Sequence, residues 1–132
     1  MKACVLDSSA LMTFFEDRAG ADKVRDLLAQ AGDNHQPLCM SVVNWGEVYY
    51  AIWRVAGEKT ANEKLQQIAQ LPIEVADVDM ALARDAARLK AENNLPYADC
   101  FAAALARTRK ATLATSDKDF QRVEKLIKIL WI

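Results

Sequence analysis

Four acidic residues of this chain sit in the same kind of surroundings: Asp7 in "VLDSSALM", Glu47 in "SVVNWGEVYYAI", Asp99 in "LPYADCFAAALA" and Asp117 in "LATSDKDF". Each follows an apolar run or falls in the early turns of a helical pattern, among small or apolar neighbours. A carboxylate placed there is costly unless something pairs with it, and burial alone drives it towards its protonated form. Several carboxylates packed together also repel one another. Mg²⁺ or Mn²⁺ in their midst resolves both problems, because hard cations take oxygen ligands. The chemistry such a set offers is phosphoryl displacement, in which the ion lowers the pKa of a water and steadies both oxygens of an in-line attack.

Each acid also has a purely structural role open to it. Asp7 could hydrogen-bond turn amides. Glu47 and Asp99, early in their helices, could favour a helix N-terminus through the macrodipole. Asp117 could cap a helix beginning near Asp119, as could Ser116. Helical spacing adds detail in two places. Asp99 shares a face with Ala102, Ala103 and Ala106, small residues that let a helix axis approach a sheet closely. Glu47 shares a face with Tyr50, Ala51 and Arg54, so that an acid, an aromatic ring and a guanidinium stand in line for a metal, a base and a phosphate. Ordinary packing and a solvated tip would equally account for Tyr50 and Arg54. No other catalytic set competes. The single histidine, His35, falls in the polar stretch "DNHQP", and neither a Gly-rich phosphate loop nor a "GxSxG" elbow is present.

The elements that must position these acids alternate. "KACVL", "PLCMSVV", "PIEVADV", "ATLAT" and "IKILWI" read as strands. "ADKVRDLLAQAG" reads as a helix stopped by Gly32, and "NWGEVYYAIWRVAG" as one ending near Gly57. "TANE" has capping-box spacing, Thr60 to Glu63, before the helix "NEKLQQIAQL". "DMALARDAARLKAENN" is a helix with a stop at Asn93 and Asn94, Pro96 suits the first turn of "YADCFAAALARTRK", and "DFQRVEKLI" is a short helix. Strands alternating with helices predict an α/β fold, a mainly parallel central sheet of about five strands with helices on both faces. Sites in such sheets form beyond the carboxyl ends of the strands, where Asp7 and Asp117 fall.

Length and composition agree. With 132 residues, 52% apolar and 27% charged, the chain suits one domain over residues 1–132. Such a domain buries roughly two thirds of its unfolded surface. No apolar run approaches the ~20 residues of a bilayer span, and the early interruption by Asp7 does not read as a signal peptide. Cys4, Cys39 and Cys100 are odd in number, widely spaced and set in apolar surroundings, which suits reduced thiols in a cytoplasm. The net charge of −1 lacks the basic footprint of a simple nucleic-acid binder, so metal ions would have to supply the positive charge.

With these residues placed, the sequence resembles the PIN-domain ribonucleases, and among them the VapC-type toxins of prokaryotic toxin–antitoxin pairs. The carriers are "VLDSSALM", "SVVNWGEVYYAI", "LPYADCFAAALA" and "LATSDKDF", in family order over nearly the whole chain. The resemblance implies that Asp7, Glu47, Asp99 and Asp117 bind divalent metal, Mg²⁺ or Mn²⁺, for catalysis. It implies that Ser9 and Thr115 orient carboxylates or water from outside the metal, with Asp119 at a more variable acidic position. It further implies endonucleolytic cleavage of RNA by metal-activated water, leaving a 5′-phosphate and a 3′-hydroxyl. A homodimer and a small antitoxin partner that blocks the site also follow from it, with Phe14, Phe15, Trp45, Tyr49 and Trp53 divided between core and antitoxin groove.

Two rivals stand beside that reading. A phosphatase of the haloacid dehalogenase type needs a second aspartate two residues after the first, where this chain has Ser9. A non-catalytic PIN-like module binding RNA or protein would have little reason to keep four mutually repelling carboxylates.

Overall fold

Five short apolar segments pair into one sheet in the computed structural model, which describes residues 3–132. Lys2, the first residue of the expected strand "KACVL", lies outside the described residues. The strands are β1 (Cys4–Leu6), β2 (Leu38–Ser41), β3 (Ile73–Ala76), β4 (Thr112–Thr115) and β5 (Ile129–Trp131). All neighbours run parallel in the order β3-β2-β1-β4-β5. The chain therefore builds outward from β1 in one direction and then crosses to the other side of it.

Successive side chains of a strand point to opposite faces, and the core divides accordingly. Cys4, Leu6, Leu38, Met40 and Ala114 pack in one apolar layer, while Val5, Cys39 and Leu113 pack in the other. The first layer is covered by α1 (Ser8–Phe15), α2 (Ala21–Asp33), α3 (Val42–Ala56) and α4 (Glu58–Gln70). The second is covered by α5 (Met80–Asn93) and α6 (Tyr97–Thr108). Helix α6 is buried continuously from Asp99 to Ala106. Its alanines leave room for that, since a helix with small side chains can lie close to the sheet.

The alternating pattern and the parallel sheet agree with expectation, and several boundaries differ for local reasons. Val42 and Val43, expected to extend β2, open α3 instead, because the Ser41 hydroxyl accepts the Val43 amide at 3.2 Å and caps the helix. Helix α4 begins at Glu58 rather than around Thr60. Gly57, at φ +90°, ends α3 and starts α4 in one step, so Thr60 falls inside the helix and no capping box forms. Gly32 is passed over, and α2 ends at Asp33 with Asn34 as its cap. Pro96 stands one position earlier than expected, its carbonyl accepting the amides of Asp99 and Cys100 at 3.0 and 3.2 Å. Residues Lys118–Val123 form a 3₁₀ helix. Asn94 does close α5, in the left-handed conformation.

Candidate metal centre

The sheet reverses its direction of growth between β1 and β4, and ligands of open α/β sheets bind beyond the strand ends at such a point. Asp7 leaves the end of β1 and Asp117 follows the end of β4 by two residues. Asp99 lies in the first turn of α6 and Glu47 in the second turn of α3.

Asp7 is a cap that also reaches across to β4. Its Oδ1 accepts the Ala10 amide at 2.9 Å and so caps α1, and the same atom accepts the Ser9 hydroxyl at 2.7 Å. Its Oδ2 accepts the Thr115 hydroxyl at 2.6 Å. With only 1% of the residue exposed, burial outweighs these three donors, which favour the ionised form. Burial, with a smaller push from the charge of Asp117, lifts the Asp7 carboxyl to about 6.

Thr115 ties the two strand ends together. It is fully buried, donates to Asp7, and accepts the amide of Asp117 at 2.9 Å. Ser9 lies 3.1 Å from the Thr115 hydroxyl and accepts the Ser116 amide at 3.1 Å. Ser9 and Thr115 thus both touch the Asp7 carboxylate and the backbone after β4.

Asp117 caps the 3₁₀ helix, its Oδ1 accepting the Asp119 amide at 2.9 Å. That turn sets the Asp119 carboxylate beside those of Asp99 and Asp117. Asp99, Asp117 and Asp119 each present a carboxylate oxygen, and the three lie within 4.8 Å of one another. The sequence reading gave Asp119 an outer place and set Asp7 and Glu47 among the four. In the folded chain Asp119 is in the tightest group, with Asp7 and Glu47 around it. Burial first, then the charges of Asp117, Asp7 and Glu47, push the Asp99 carboxyl well above the usual carboxylate range. The other three sequence-predicted acids, Asp7, Glu47 and Asp117, therefore all fall within electrostatic reach of Asp99.

Asn44 had no place in the sequence reading. It is fully buried near the start of α3, and its Nδ2 donates to Glu47 Oε1 at 2.8 Å and to the carbonyl of Ala98 at 3.2 Å. The available signal was an amide three positions before Glu47, on the same helix face. Tyr50 and Arg54 are exposed, and their contact is with each other, the guanidinium 5.0 Å from the ring centre. Trp45 stacks on Tyr49 at 6.4 Å, and Trp53 meets the Tyr49 ring edge-on at 5.6 Å. Trp45, Tyr49, Phe14 and Phe15 are partly buried against the first layer, and Trp53 is exposed.

The donor set fits a hard divalent cation. Among the described residues, no lysine or arginine pairs with Asp7, Glu47, Asp99, Asp117 or Asp119. Asp99 Oδ2 is buried with no hydrogen-bond partner. Oxygen ligands alone, without histidine or cysteine among them, suit Mg²⁺ or Mn²⁺ rather than a softer metal.

Comparison with known proteins agrees with the architecture. A family model described as the PIN domain matches residues 4–126. No curated protein matches the sequence significantly. Among solved structures, the chain is similar to a promoter-DNA-bound VapBC2 from Rickettsia felis, at TM-score 0.79 and 17% identity over 98% of each chain. It is also similar to a DNA-bound VapBC from Salmonella typhimurium, at TM-score 0.74 and 18% identity over 98% of each chain. A third is VapC20 from Mycobacterium tuberculosis, a toxin that cleaves the sarcin-ricin loop, at TM-score 0.72 and 16% identity over 90% of this chain and 93% of that one. At these identities the likeness is one of fold.

Proposed function

This chain belongs to the PIN-domain family, and on that premise we propose that it is a metal-dependent endoribonuclease, the toxin of a type II toxin–antitoxin pair. One observation carries the reading: Asp99 keeps a buried, unpartnered carboxylate oxygen beside Asp117 and Asp119, and among the described residues no lysine or arginine forms an ion pair with any of the three. Asp99, Asp117 and Asp119 would hold the ion, with Glu47 and Asp7 completing the set. Although both Asp7 oxygens already accept hydrogen bonds, a carboxylate has about four acceptor positions and three are used. A divalent ion bound there supplies the positive charge that the phosphodiester needs and an activated water for in-line attack.

The chain's own residues prepare that site. Thr115 and Ser9 donate to Asp7 and offset part of the effect of its burial, and Thr115 fixes the backbone from which Asp117 projects. Asp117 in turn caps the turn that carries Asp119. Tyr50 and Arg54, exposed on the helix of Glu47, would stack a base and grip a phosphate of the RNA. In this reading residues 1–132 form one nuclease domain, acting in a prokaryotic cytoplasm as a homodimer with a small antitoxin. Support for that partner comes from relatives solved as toxin–antitoxin complexes.

The test is cleavage of a labelled structured RNA by the purified chain with Mg²⁺ or Mn²⁺, with EDTA, and with Asp99→Asn. Cleavage that needs metal and disappears in the variant is expected. Cleavage that survives both EDTA and Asp99→Asn would overturn the mechanism.

A further inference from the structure

We infer that Asn44 is the positioning residue that sets Glu47 against Asp99, an inference that rests on the metal reading above. Glu47 and Asp99 come from helices that pack mainly on opposite faces of the sheet, although Val43 in the first turn of α3 also packs against the apolar layer of α6. The two helices meet beyond the sheet edge, and the setting of their carboxylates there depends on what joins them. Asn44 supplies the link. One side-chain NH₂ group donates to the Glu47 carboxylate at 2.8 Å and to the Ala98 carbonyl, the residue before Asp99, at 3.2 Å.

The same amide is placed at a cost to stability. Asn44 Oδ1 is buried and has no hydrogen-bond partner. An unsatisfied buried acceptor of this kind calls for an explanation. Turning the amide over would not relieve it, because the oxygen would then face two acceptors, the Glu47 carboxylate and the Ala98 carbonyl. The orientation is therefore dictated by Glu47 and Ala98, and an apolar side chain of the same size would suit the buried position better. A residue retained for stability would have no reason to be an amide here. A residue retained to aim Glu47 would, because the amide donates to it without neutralising it and leaves the carboxylate's other oxygen free.

The ligand probe is Mn²⁺ alone, titrated by calorimetry into the metal-free full chain. Asn44→Leu keeps the branching at Cγ and removes the unsatisfied oxygen, at the cost of added volume, so the variant is expected to melt near the parent temperature. Its Mn²⁺ affinity is expected to fall about 10- to 100-fold, the usual effect of losing a group that orients a metal ligand. In a Glu47→Gln background the same substitution is expected to change affinity less than about twofold, since Asn44 would have nothing left to aim. A merely structural role would give the same loss in both backgrounds, and that result would overturn the inference. So would unchanged affinity in Asn44→Leu alone, while the parent binds. A parent that binds no Mn²⁺ overturns the metal reading itself, and this inference with it. Should Asn44→Leu fail to fold, Asn44→Ser is put through the same cycle and judged by the same outcomes.

Discussion

Acidic residues in this molecule live in two different regimes. On the outer surfaces some find cations and the others stand in solvent: Glu74 of β3 takes both arms of Arg109 at 2.7 and 3.3 Å, Glu16 pairs with Arg18, and Asp22 with Arg25. At the carboxyl edge of β1 and β4, Asp7, Glu47, Asp99, Asp117 and Asp119 have no basic partner among the described residues, although the chain carries 17 Lys and Arg. The two regimes carry opposite electrostatic signatures. Arg109 holds the Glu74 carboxyl below its ordinary range, whereas burial and like charge hold Asp7 and Asp99 above theirs. An exposed pair is worth little and is complete in itself. A buried, unpaired cluster is unfavourable alone and becomes favourable only with a bound cation.

The sharpest way to break this comparison is to neutralise one acid of each kind. Asp99→Asn is expected to reduce RNA cleavage by at least about a hundredfold, beyond what the loss of an orienting group costs. The same substitution should leave the melting temperature of the metal-free protein unchanged or raise it. Glu74→Gln should leave cleavage untouched. Parallel cleavage assays and melts of the two variants check this, and a lower melting temperature in Asp99→Asn would mark that acid as structural.

The next effect is the pH dependence of the metal-free protein. Asp7 is an acid whose folded pKa, about 6, lies above its ordinary value of 3.8. The folded state therefore binds the proton more tightly than the unfolded chain. That contribution is fully present below about pH 4 and is lost as pH rises through 6, a loss of about 3 kcal/mol at 1.36 kcal/mol per unit. Asp99, raised to about 8 chiefly by burial, extends the decline to higher pH. Glu74 acts with the opposite sign, its stability present above the unfolded pKa and lost as pH falls through its depressed one. Denaturant melts from pH 4 to 8 should fall with pH in EDTA. Mn²⁺ should flatten or reverse the trend at the upper end, and a trend unaffected by Mn²⁺ would separate these acids from metal binding.

A smaller change tests the link between the strand ends. Thr115→Val keeps the shape but removes the hydroxyl that donates to Asp7 and accepts from Asp117. It should cost about 1–3 kcal/mol through the buried groups left unpaired, and about tenfold in Mn²⁺ affinity. Calorimetry and melts report the two separately. The smallest effect belongs to the surface: Arg109→Ala should cost at most about 1 kcal/mol and less at high salt.

Much of this was legible in the sequence because it depends on local pattern. Apolar runs followed by 3.6-residue periodicity specify strands alternating with helices, and a parallel sheet with two covered faces follows. Asp7 and Asp117 stand at strand ends by chain order alone. Boundaries were less legible where one side chain or one glycine decides them, as at Ser41 and Gly57. The two readings of Asp7, cap or site, do not exclude one another: the carboxylate that caps α1 also accepts from Thr115 and feels the charge of Asp117.

The acid inventory, then, belonged to the sequence by itself: which carboxylates exist, on which kind of element, and with what small or apolar neighbours. Their order around the site did not. Asp119 enters the tightest group because a 3₁₀ turn, rather than a regular helix, follows Asp117. Asn44 acquires its role because α3 and α6, 54 residues apart at Asn44 and Ala98, meet beyond the sheet edge. Hydrogen bonds and charge repulsion act over a few ångströms of space, and separation along the chain does not report that distance. Only the parallel crossover that returns the chain from β3 to β4, beside β1, brings those ångströms about.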